Sequence, residues 1–265
     1  MKIKKIKLFC NDNDKSRMIK DLLIDELIKN EFLLTEDEFD LGIAIGGDGS
    51  FLRMLKNSNF NSDVYYIGVN TGTLGFLQEI KPYEIKDFVL KIKNNDFKIE
   101  SIGIQETNVE TNDSISRFFS LNDIVIREKD LNTLSCNINV DNVLLEKFVG
   151  DGILISTSVG STAYNLSYGG SIVYNTLHTL QITPIAPLNS KVYRNLLNSV
   201  IVPEDKLITV IPSKDKSNLI ITVDGENNVY DNVLKIETSV SKKKIKCIRM
   251  NDYNFIDIVN DKFLR

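Results

Sequence analysis

The chain has 265 residues, of which 42% are hydrophobic and 26% charged. This is enough for one large domain or two small ones with a sizeable core, and it excludes a disordered protein. The net charge of −4 argues against a nucleic-acid or membrane-surface protein. No apolar stretch approaches the roughly 18 residues of a membrane span, and the apolar run at the start is too short for a secretory signal. The sequence therefore predicts a cytoplasmic protein.

Cysteine and histidine usage narrows the chemistry. Cys10, Cys136 and Cys247 are scattered and form no CxxC pair, so neither a disulfide framework nor a zinc site is predicted. His178 is the single histidine, and no motif around it resembles a Ser-His-Asp or Cys-His arrangement. We expect buried cysteines and a surface histidine.

The first hundred residues alternate strand and helix patterns. A continuous apolar run such as LGIAI is typical of a strand buried on both faces, and leucines at helical spacing indicate an amphipathic helix. The predicted strands are 3–9, 41–45 and 64–69, and the predicted helices are 15–30, one restarting at 51–56, and 82–95. This order predicts an α/β domain over residues 1–100 with a parallel, Rossmann-like sheet.

From about residue 100 the pattern becomes that of short strands separated by polar turns. Residues around Asp141-Asn142 alternate with period two, which is typical of a hairpin. We predict a β-rich domain over residues 101–250, interrupted by one helix that starts near Thr162. Residues 251–265 contain regularly placed apolar side chains and are expected to return to the first domain.

Two glycine turns follow apolar strands in the first domain. In LGIAIGGDGSFL (41–52), Asp48 stands between glycines at a strand-to-helix junction, where backbone N–H groups and a helix dipole favour an anion. A tight turn explains the same residues equally well. VNTGTLGFL (69–77) is a second such turn, and the ends of two neighbouring strands would line one crevice.

Three further segments carry polar groups in unusual positions. SLND (120–123) places Asn122 and Asp123 before a strand, and ITVDGENN (221–228) places Asp224 in a turn. VGDGILISTSVGSTAYNLSYGG (149–170) has five hydroxyl side chains within seven residues, and burying these is costly unless they are satisfied. We expect a polar ligand to satisfy them.

These candidate residues offer carboxylates, hydroxyls and backbone N–H groups but no catalytic histidine. Phosphoryl transfer fits this set, since it needs positioning, charge neutralisation and one carboxylate to orient an acceptor hydroxyl. The common phosphate-binding patterns GxxxxGK[ST] and GxGxxG are both missing from the sequence.

Several motifs together resemble the NAD kinase family. They are GGDGSFL (46–52), NTGTLGFL (70–77), SLND (120–123), GDGILISTSVGSTAYNLSYGG (150–170), TPIAPLNSKVYRNLLNSVIVP (183–203) and VDG (223–225), and the resemblance covers nearly the whole chain. It implies an α/β N-terminal domain, a β-rich C-terminal domain and a returning C-terminus. It also implies transfer of a phosphoryl group from ATP, or from polyphosphate in some members, to the adenosine 2′-hydroxyl of NAD.

The resemblance also implies roles for individual residues. Asp48 would be the catalytic base. The residues that would bind NAD are Asp48, Gly49, Phe76, Asn122, Asp123, Asp151, Thr162, Ala163, Tyr164, Asn165, Leu166, Ser167 and Ala186. Further candidates are Gly47, Leu77, Val149, Asp224 and Glu226. No protein metal site is implied; Mg²⁺ is expected on the substrate phosphates. Members work as homodimers or homotetramers with sites near subunit interfaces.

The sequence departs from the family pattern at a few positions. Val149 stands where an arginine is common, Leu188 where histidine is frequent, and Glu226 where glutamine often follows DG. The identity of the phosphate donor and the choice between NAD and NADH therefore stay open. Two alternative functions also remain: a related kinase that phosphorylates a lipid or another hydroxyl, and a dinucleotide-binding sensor without catalysis.

Overall fold

The computed structural model describes residues 3–72, 75–130, 132–213 and 217–265. The chain divides into two compact units. Unit 1 contains the described residues of Met1–Ile102 together with Lys244–Arg265, and unit 2 contains those of Gly103–Lys243.

Unit 1 alternates strands and helices along the chain. Its elements are β1 (Lys5–Cys10), α1 (Asp14–Lys29), β2 (Leu33–Leu34), β3 (Leu41–Gly46), α2 (Asp48–Asn57), β4 (Tyr65–Asn70), a 3₁₀ turn at Pro82–Glu84, α3 (Ile85–Asn94) and the start of β5 (Lys98–Thr111). The strands and helices predicted for this part of the chain lie within three residues of these bounds, with α2 starting at Asp48 itself, whereas β2 was not predicted.

Unit 2 is almost entirely strands. After β5 come β6 (Ile115–Ser120), β7 (Asp123–Glu128), β8 (Leu134–Val140), β9 (Val143–Thr157), a 3₁₀ turn at Val159–Thr162, α4 (Tyr164–Ser167), β10 (Thr179–Pro187), β11 (Val200–Pro203), β12 (Ile208–Pro212), β13 (Ser217–Val223) and β14 (Glu226–Arg249). The last helix, α5 (Phe255–Phe263), belongs to unit 1. The predicted α/β and β-rich parts are both confirmed.

The sheet of unit 1 is parallel, with the order β2-β1-β3-β4-β14. Leu41, Ile43 and Ile45 point from β3 into a core that α1 and α3 cover. Gly42 points to the other face, where a Cβ would lie 3.1 Å from Met54 of α2. Burial on both faces explains why β3 is an unbroken apolar run.

Six strands of unit 2 close into a ring. β9 pairs with β7 and β8, β13 connects β7 to β14, and β12 connects β8 to β14. The closed circuit is a barrel whose interior is filled by apolar side chains from all six strands. Closure removes the exposed edges that an open sheet would leave on these strands.

The predicted helix near Thr162 is much shorter than expected. The chain there makes a 3₁₀ turn followed by the single-turn α4. Ser and Thr hydroxyls bond to neighbouring backbone groups, which competes with helix propagation, and Gly169 then ends the turn at φ +76°.

The cysteine and histidine predictions have mixed outcomes. Cys136 and Cys247 are buried as expected, whereas Cys10 is half-buried. His178 forms an ion pair with Glu204 at 3.1 Å, and its side chain is 18% exposed, so it is less open than the predicted surface histidine. None of the described helices is long and apolar enough to span a membrane.

Arg249, at the end of β14, holds a buried ion-pair network in unit 1. Its Nε bonds to Glu100 at 2.7 Å and its Nη1 to Glu79 at 3.3 Å, and the three side chains are at most 12% exposed. The guanidinium lies 4.1 Å from the Tyr253 ring centre, and the Met250 N–H donates to Glu79. Burial raises the pKa of Glu79 to about 7.

We predict that Arg249→Met destabilises the protein by about 3–5 kcal/mol, because it leaves two buried carboxylates without a cation. The pKa of Glu79 is already above its unfolded value, so ionising it costs stability as pH rises towards 7. In Arg249→Met, the free energy of unfolding should therefore fall more steeply between pH 5.5 and pH 8 than it does in the wild type. Urea unfolding at both pH values measures it. Arg17→Met, which breaks an exposed ion pair, is the control; equal stability of the two variants would contradict the prediction.

Candidate active site

Asp48 occupies the first turn of α2, directly after the carboxyl end of β3. Its Oδ2 accepts a hydrogen bond from the Phe76 N–H and its Oδ1 from the Leu77 N–H, both at 3.0 Å. The two glycine turns predicted from sequence are therefore joined through this one carboxylate, at the ends of the neighbouring parallel strands β3 and β4. Thr73 and Leu74, which belong to the second turn, lie outside the described residues.

The glycines around Asp48 serve different purposes. A Cβ on Gly75 would lie 1.9 Å from Asp48 Oδ1, so the carboxylate needs glycine there. A Cβ on Gly47 would meet nothing within 4 Å, and one on Gly49 only the Arg53 Nη1 at 3.8 Å. Because the protein itself does not require the small side chain at Gly47 and Gly49, these positions leave open space beside Asp48.

Sequence analysis missed a polar cluster next to this turn. The Asn11 side-chain oxygen, after β1, accepts from the Ser50 hydroxyl at 2.7 Å and from Arg53. Lys15 lies near the second turn, 3.7 Å from where a Cβ of Gly72 would be. In the part of the chain that the structure describes, neither Arg53 nor Lys15 forms an ion pair. The only available signal was the spacing of Arg53, four residues after Gly49 on the same helix face.

Phe76 is held by α5 of the same unit. Its ring lies 6.2 Å from Phe255 and 5.5 Å from Phe263, in tilted arrangements. Leu77 is buried and reaches the site only through its N–H group. The C-terminal helix therefore supports the segment that fixes Asp48.

Asp224 fixes the SLND segment in unit 2. It forms a two-residue hairpin turn with Gly225, with φ values of +46° and +86°. Its carboxylate accepts from the backbone N–H groups of Leu121 and Asn122 at 2.7 Å and of Asp123 at 3.2 Å. Burial raises its pKa to about 6, against the lowering effect of these bonds. Asp224 is thus both a turn residue, as its sequence suggested, and a structural support of the site.

Asp123 is the exceptional group of unit 2. The residue is only 4% exposed, and among the described residues its carboxylate has no hydrogen-bond or ion-pair partner. Burial, and then the neighbouring charge of Asp224, raise its pKa to about 7. A buried polar group of this kind is costly unless a partner arrives. The arrangement suits a ligand hydroxyl that donates to it.

The expectation that a ligand satisfies the hydroxyl-rich segment is wrong. Thr157 donates to Leu121 O, Ser158 to Leu177 O and Ser161 to Val173 O, while Ser156 donates to Thr157 O and Thr162 to Val159 O. Each of these hydroxyls therefore already donates to a backbone carbonyl within the protein. Gly160 is tightly enclosed as well, since a Cβ there would lie 2.0 Å from Asn122 O.

The Thr162–Ser167 stretch contains both buried and exposed side chains. Asn165 is fully buried, accepts from Thr183 at 2.6 Å and donates to Ser161 O, which gives its side chain a packing role. Tyr164 is 42% exposed, Ser167 is exposed, and Ala163 and Leu166 are half-buried. Only part of this stretch is open to a ligand.

Asp151 and Ala186 lie opposite each other on β9 and β10, and both are exposed. Ala186 has φ +43°, a strained backbone conformation for a residue with a Cβ. The Asn195 side chain bonds to both backbone groups of the neighbouring Val149 at 3.0 Å. Glu226 is exposed just after the Asp224 turn.

Side chains that commonly bind metals are not clustered in the described parts of the chain. In the described ranges, no three His, Cys, Asp or Glu side chains come together in a way that could hold a metal ion. Unit 1 offers one fixed carboxylate with free space beside it and two cations that have no carboxylate partner among the described residues. Unit 2 offers one buried carboxylate that the described residues leave without a partner. Such groups can orient a hydroxyl and neutralise phosphates.

Comparison with known proteins agrees with this chemistry. Residues 9–97 match the ATP-NAD kinase N-terminal domain, and residues 121–250 match the ATP-NAD kinase C-terminal domain. An NAD kinase from Finegoldia magna is 38% identical, with 98% of this chain and 97% of that protein covered. An NAD kinase from Streptococcus gordonii is 33% identical, with 98% and 96% covered.

Solved structures show the same fold. Yeast NADH kinase, complexed with NADH, matches with a TM-score of 0.86 at 20% identity, covering 100% of this chain and 88% of that one. An NAD kinase from Archaeoglobus fulgidus, in complex with ATP, matches with a TM-score of 0.77 at 22% identity, covering 97% and 98%. On the family matches and the close relatives, the chain belongs to the NAD kinase family.

Proposed function

We propose that this enzyme transfers the terminal phosphoryl group of ATP to the adenosine 2′-hydroxyl of NAD and so forms NADP. The observation that carries this proposal is the fixed carboxylate of Asp48, with free space at Gly47 and Gly49. An acceptor hydroxyl can approach such a carboxylate closely, since no side chain stands in the way.

Asp48 is proposed to act as the base. Each of its oxygens accepts one backbone N–H and keeps a further lone pair, which can accept the proton of the 2′-hydroxyl. The two N–H groups fix the carboxylate before the substrate arrives, so little ordering is needed in the reaction step.

Unit 2 is proposed to bind the dinucleotide. Asp123 would accept a hydrogen bond from a ribose hydroxyl, which supplies the partner that its carboxylate lacks. Asn122, Asp151, Ala186 and the exposed members of Thr162–Ser167 are the other proposed contacts. For Asn165 we propose only a contact through the backbone, because its side chain is fully buried and both ends of its amide are hydrogen-bonded within the protein.

Arg53 and Lys15 are proposed to neutralise phosphate charge near Asp48. Both cations lack a carboxylate partner within the described ranges, and Arg53 is next to Gly49. Mg²⁺ is proposed to arrive on the phosphates of ATP, where it would offset further negative charge. ATP is the proposed donor, and use of polyphosphate remains to be tested.

We further propose that the chain forms a homo-oligomer through segment 188–201, which leads from the end of β10 into β11. This segment exposes a group of apolar side chains: Leu188, Val192, Tyr193, Leu196, Leu197 and Ile201. Exposed apolar groups of this density mark interaction surfaces. The domain limits 1–100 with 251–265, and 101–250, the Rossmann-like character of the first domain and the cytoplasmic location stay predictions.

The function is tested with purified protein, NAD, ATP and Mg²⁺, with NADP as the measured product. We predict that Asp48→Asn lowers turnover by about 10²–10⁴-fold, as loss of a general base does. An amide keeps only one acceptor oxygen for two N–H donors, so the free energy of unfolding should also fall by about 1–3 kcal/mol. NAD binding, measured by calorimetry without ATP, should largely persist.

Two outcomes would contradict this assignment. Near-wild-type turnover of Asp48→Asn would show that Asp48 is not the base. If the wild-type chain binds NAD and yields no NADP with any donor or divalent metal, it is a dinucleotide-binding sensor.

The open space beside Asp48 gives a second prediction. The free energy of unfolding of Gly49→Ala should equal that of the wild type or exceed it by up to about 1 kcal/mol, because alanine favours a helix and its Cβ fits. It should still raise the KM for NAD by about tenfold or more, since the methyl group occupies the ligand's space. Gly75→Ala is the contrast, because it should lose stability and activity together. Unchanged NAD kinetics in Gly49→Ala would refute the role of this space.

The pKa of Asp123 gives a third prediction. If its carboxylate accepts from NAD, binding requires the ionised form, so affinity should rise about tenfold from pH 6 to pH 8 around a pKa of about 7. Calorimetry at several pH values measures this. Asp123→Asn should bind more weakly at pH 8 and lose the pH dependence. Asp130→Asn, an exposed acid in the same unit, should keep it; persistence of the slope in Asp123→Asn would contradict the assignment.

Ionisation of the Asp123 carboxylate, which should favour NAD binding, should lower the free energy of unfolding. Its folded pKa lies above the unfolded value, so stability is highest at acidic pH and is lost as pH rises through about 7. Without ligand at pH 8, Asp123→Asn should therefore unfold at a higher free energy than wild type, by roughly 2–4 kcal/mol at most. Lower stability at pH 8 would show that Asp123 has a structural partner.

A further inference from the structure

Arg127 lies on the outer face of the unit 2 sheet, among the segments that are proposed to bind the dinucleotide. It belongs to none of the motifs that carry the family resemblance. It sits on β7, opposite Ile220 of β13. On the other side is Gly152 of β9, where a Cβ would lie 2.8 Å from Arg127 Cγ. The second glycine of the GDG motif therefore makes room for the stem of this arginine.

Two tyrosines hold one end of the guanidinium. Nη2 of Arg127 donates to the Tyr168 hydroxyl at 3.0 Å and to the Tyr164 hydroxyl at 3.2 Å. The hydroxyls lie 2.8 Å apart, and the rings are edge-to-face with centres at 4.9 Å. Tyr168 packs against the cluster of Val125, Leu154 and Ile185, which fixes the group on the barrel.

The proton arrangement leaves donors without acceptors. The hydrogen bond with Arg127 lowers the pKa of Tyr164, while the hydrogen bond with Tyr164 raises the pKa of Tyr168. Either hydroxyl can donate across the 2.8 Å contact between them. The O–H of the other tyrosine, and the Nε and Nη1 groups of Arg127, then have no acceptor among the described residues.

The charge of Arg127 is uncompensated as well. In the part of the chain that the structure describes, no carboxylate lies within ion-pair distance of Arg127, whereas Arg17, Arg117 and Arg249 each have at least one. A half-buried guanidinium with several free N–H groups, beside a free hydroxyl donor, is suited to an anion with several oxygens.

We propose that Arg127, with the hydroxyls of Tyr164 and Tyr168, forms a binding site for a phosphate group of a nucleotide substrate. The identity of the nucleotide rests on the proposed function; the anion site itself rests on the geometry. Its position on the sheet places it beside GDG, where Val149 offers no charge. The phosphate can come from the diphosphate of a dinucleotide or from the triphosphate of ATP.

The test measures binding by calorimetry in Arg127→Gln, separately for NAD, ADP-ribose, adenosine and ATP. We expect the dissociation constants of NAD and ADP-ribose to rise by about 10- to 100-fold, as the loss of a charge-assisted hydrogen bond implies. Adenosine, which has no phosphate, should bind as before. Arg117→Gln is the matched control, because it removes the same charge elsewhere in unit 2.

The four ligands show which substrate supplies the phosphate. They also distinguish failure of this proposal from failure of the proposed function. An equal loss for NAD and ADP-ribose assigns the site to the dinucleotide's diphosphate, and a loss for ATP alone assigns it to the donor. Unchanged affinity for all three, or an equal loss for adenosine, overturns the proposal. Since each ligand is measured alone, a wild-type protein that made no NADP would refute the proposed function and leave this test intact.

Two further variants keep the test decisive if Arg127→Gln does not fold. Arg127→Lys keeps the charge and the stem over Gly152 but loses the planar fork, so we expect an intermediate loss of about 3- to 10-fold for the same ligands. Tyr168→Phe keeps the ring and its packing but removes one bond to Arg127, and should give a smaller loss. Wild-type affinities in both would overturn the proposal.

Discussion

The carboxylate of Asp48 is the constraint around which the α/β unit is arranged. Its two oxygens each accept one backbone N–H from the segment after β4, so two loops from neighbouring strands share a single anchor. An anchor of this kind needs a very close approach, and Gly75 is small enough to allow it. The same bonds place Phe76, which in turn packs on α5. The C-terminal helix is thus coupled to the geometry of Asp48, which lies more than 200 residues earlier in the chain.

In unit 2, too, a single carboxylate fixes a backbone segment by accepting several N–H groups. Asp224 accepts three consecutive backbone N–H groups and so fixes the SLND segment at the start of β7. A carboxylate in a DG turn is well suited to this because the turn exposes it and the glycine permits the tight bend. The consequence is that Asp123, the last of these three residues, is placed close to a second negative charge and has no partner for its carboxylate among the described residues. The hydrogen bonds that Asp224 accepts therefore hold Asp123 where the described residues give its carboxylate no partner.

Local patterns predicted much of this fold. The unbroken apolar run of β3 and the leucines of α1 reflect burial that is visible in any short window, and Asp141-Asn142 adopts the left-handed turn that its composition indicates. The long-range contacts were not predictable from the sequence. Arg249 and Glu100 are 149 residues apart, and Asp224 and Leu121 are 103 apart. Nothing in the spacing of such residues reveals which acid meets which base or which amide.

The hydroxyl-rich segment shows where sequence reasoning failed and why the structure is more informative. Residue type alone treated hydroxyls such as Ser156, Thr157 and Ser161 as polar groups waiting for a ligand, and the family resemblance added Asn165. The hydroxyls donate to backbone carbonyls, and the Asn165 side-chain oxygen accepts from the Thr183 hydroxyl, so each already has a partner within the protein. Folding has used these groups, so a substrate gains little from them. Asp123 and Arg127 are the reverse, since each keeps a charge that the described residues leave without a counter-ion. Residues whose polar groups are already hydrogen-bonded within the protein therefore have a structural role. Residues whose polar groups have no such partner are the ones that can gain binding free energy from a substrate.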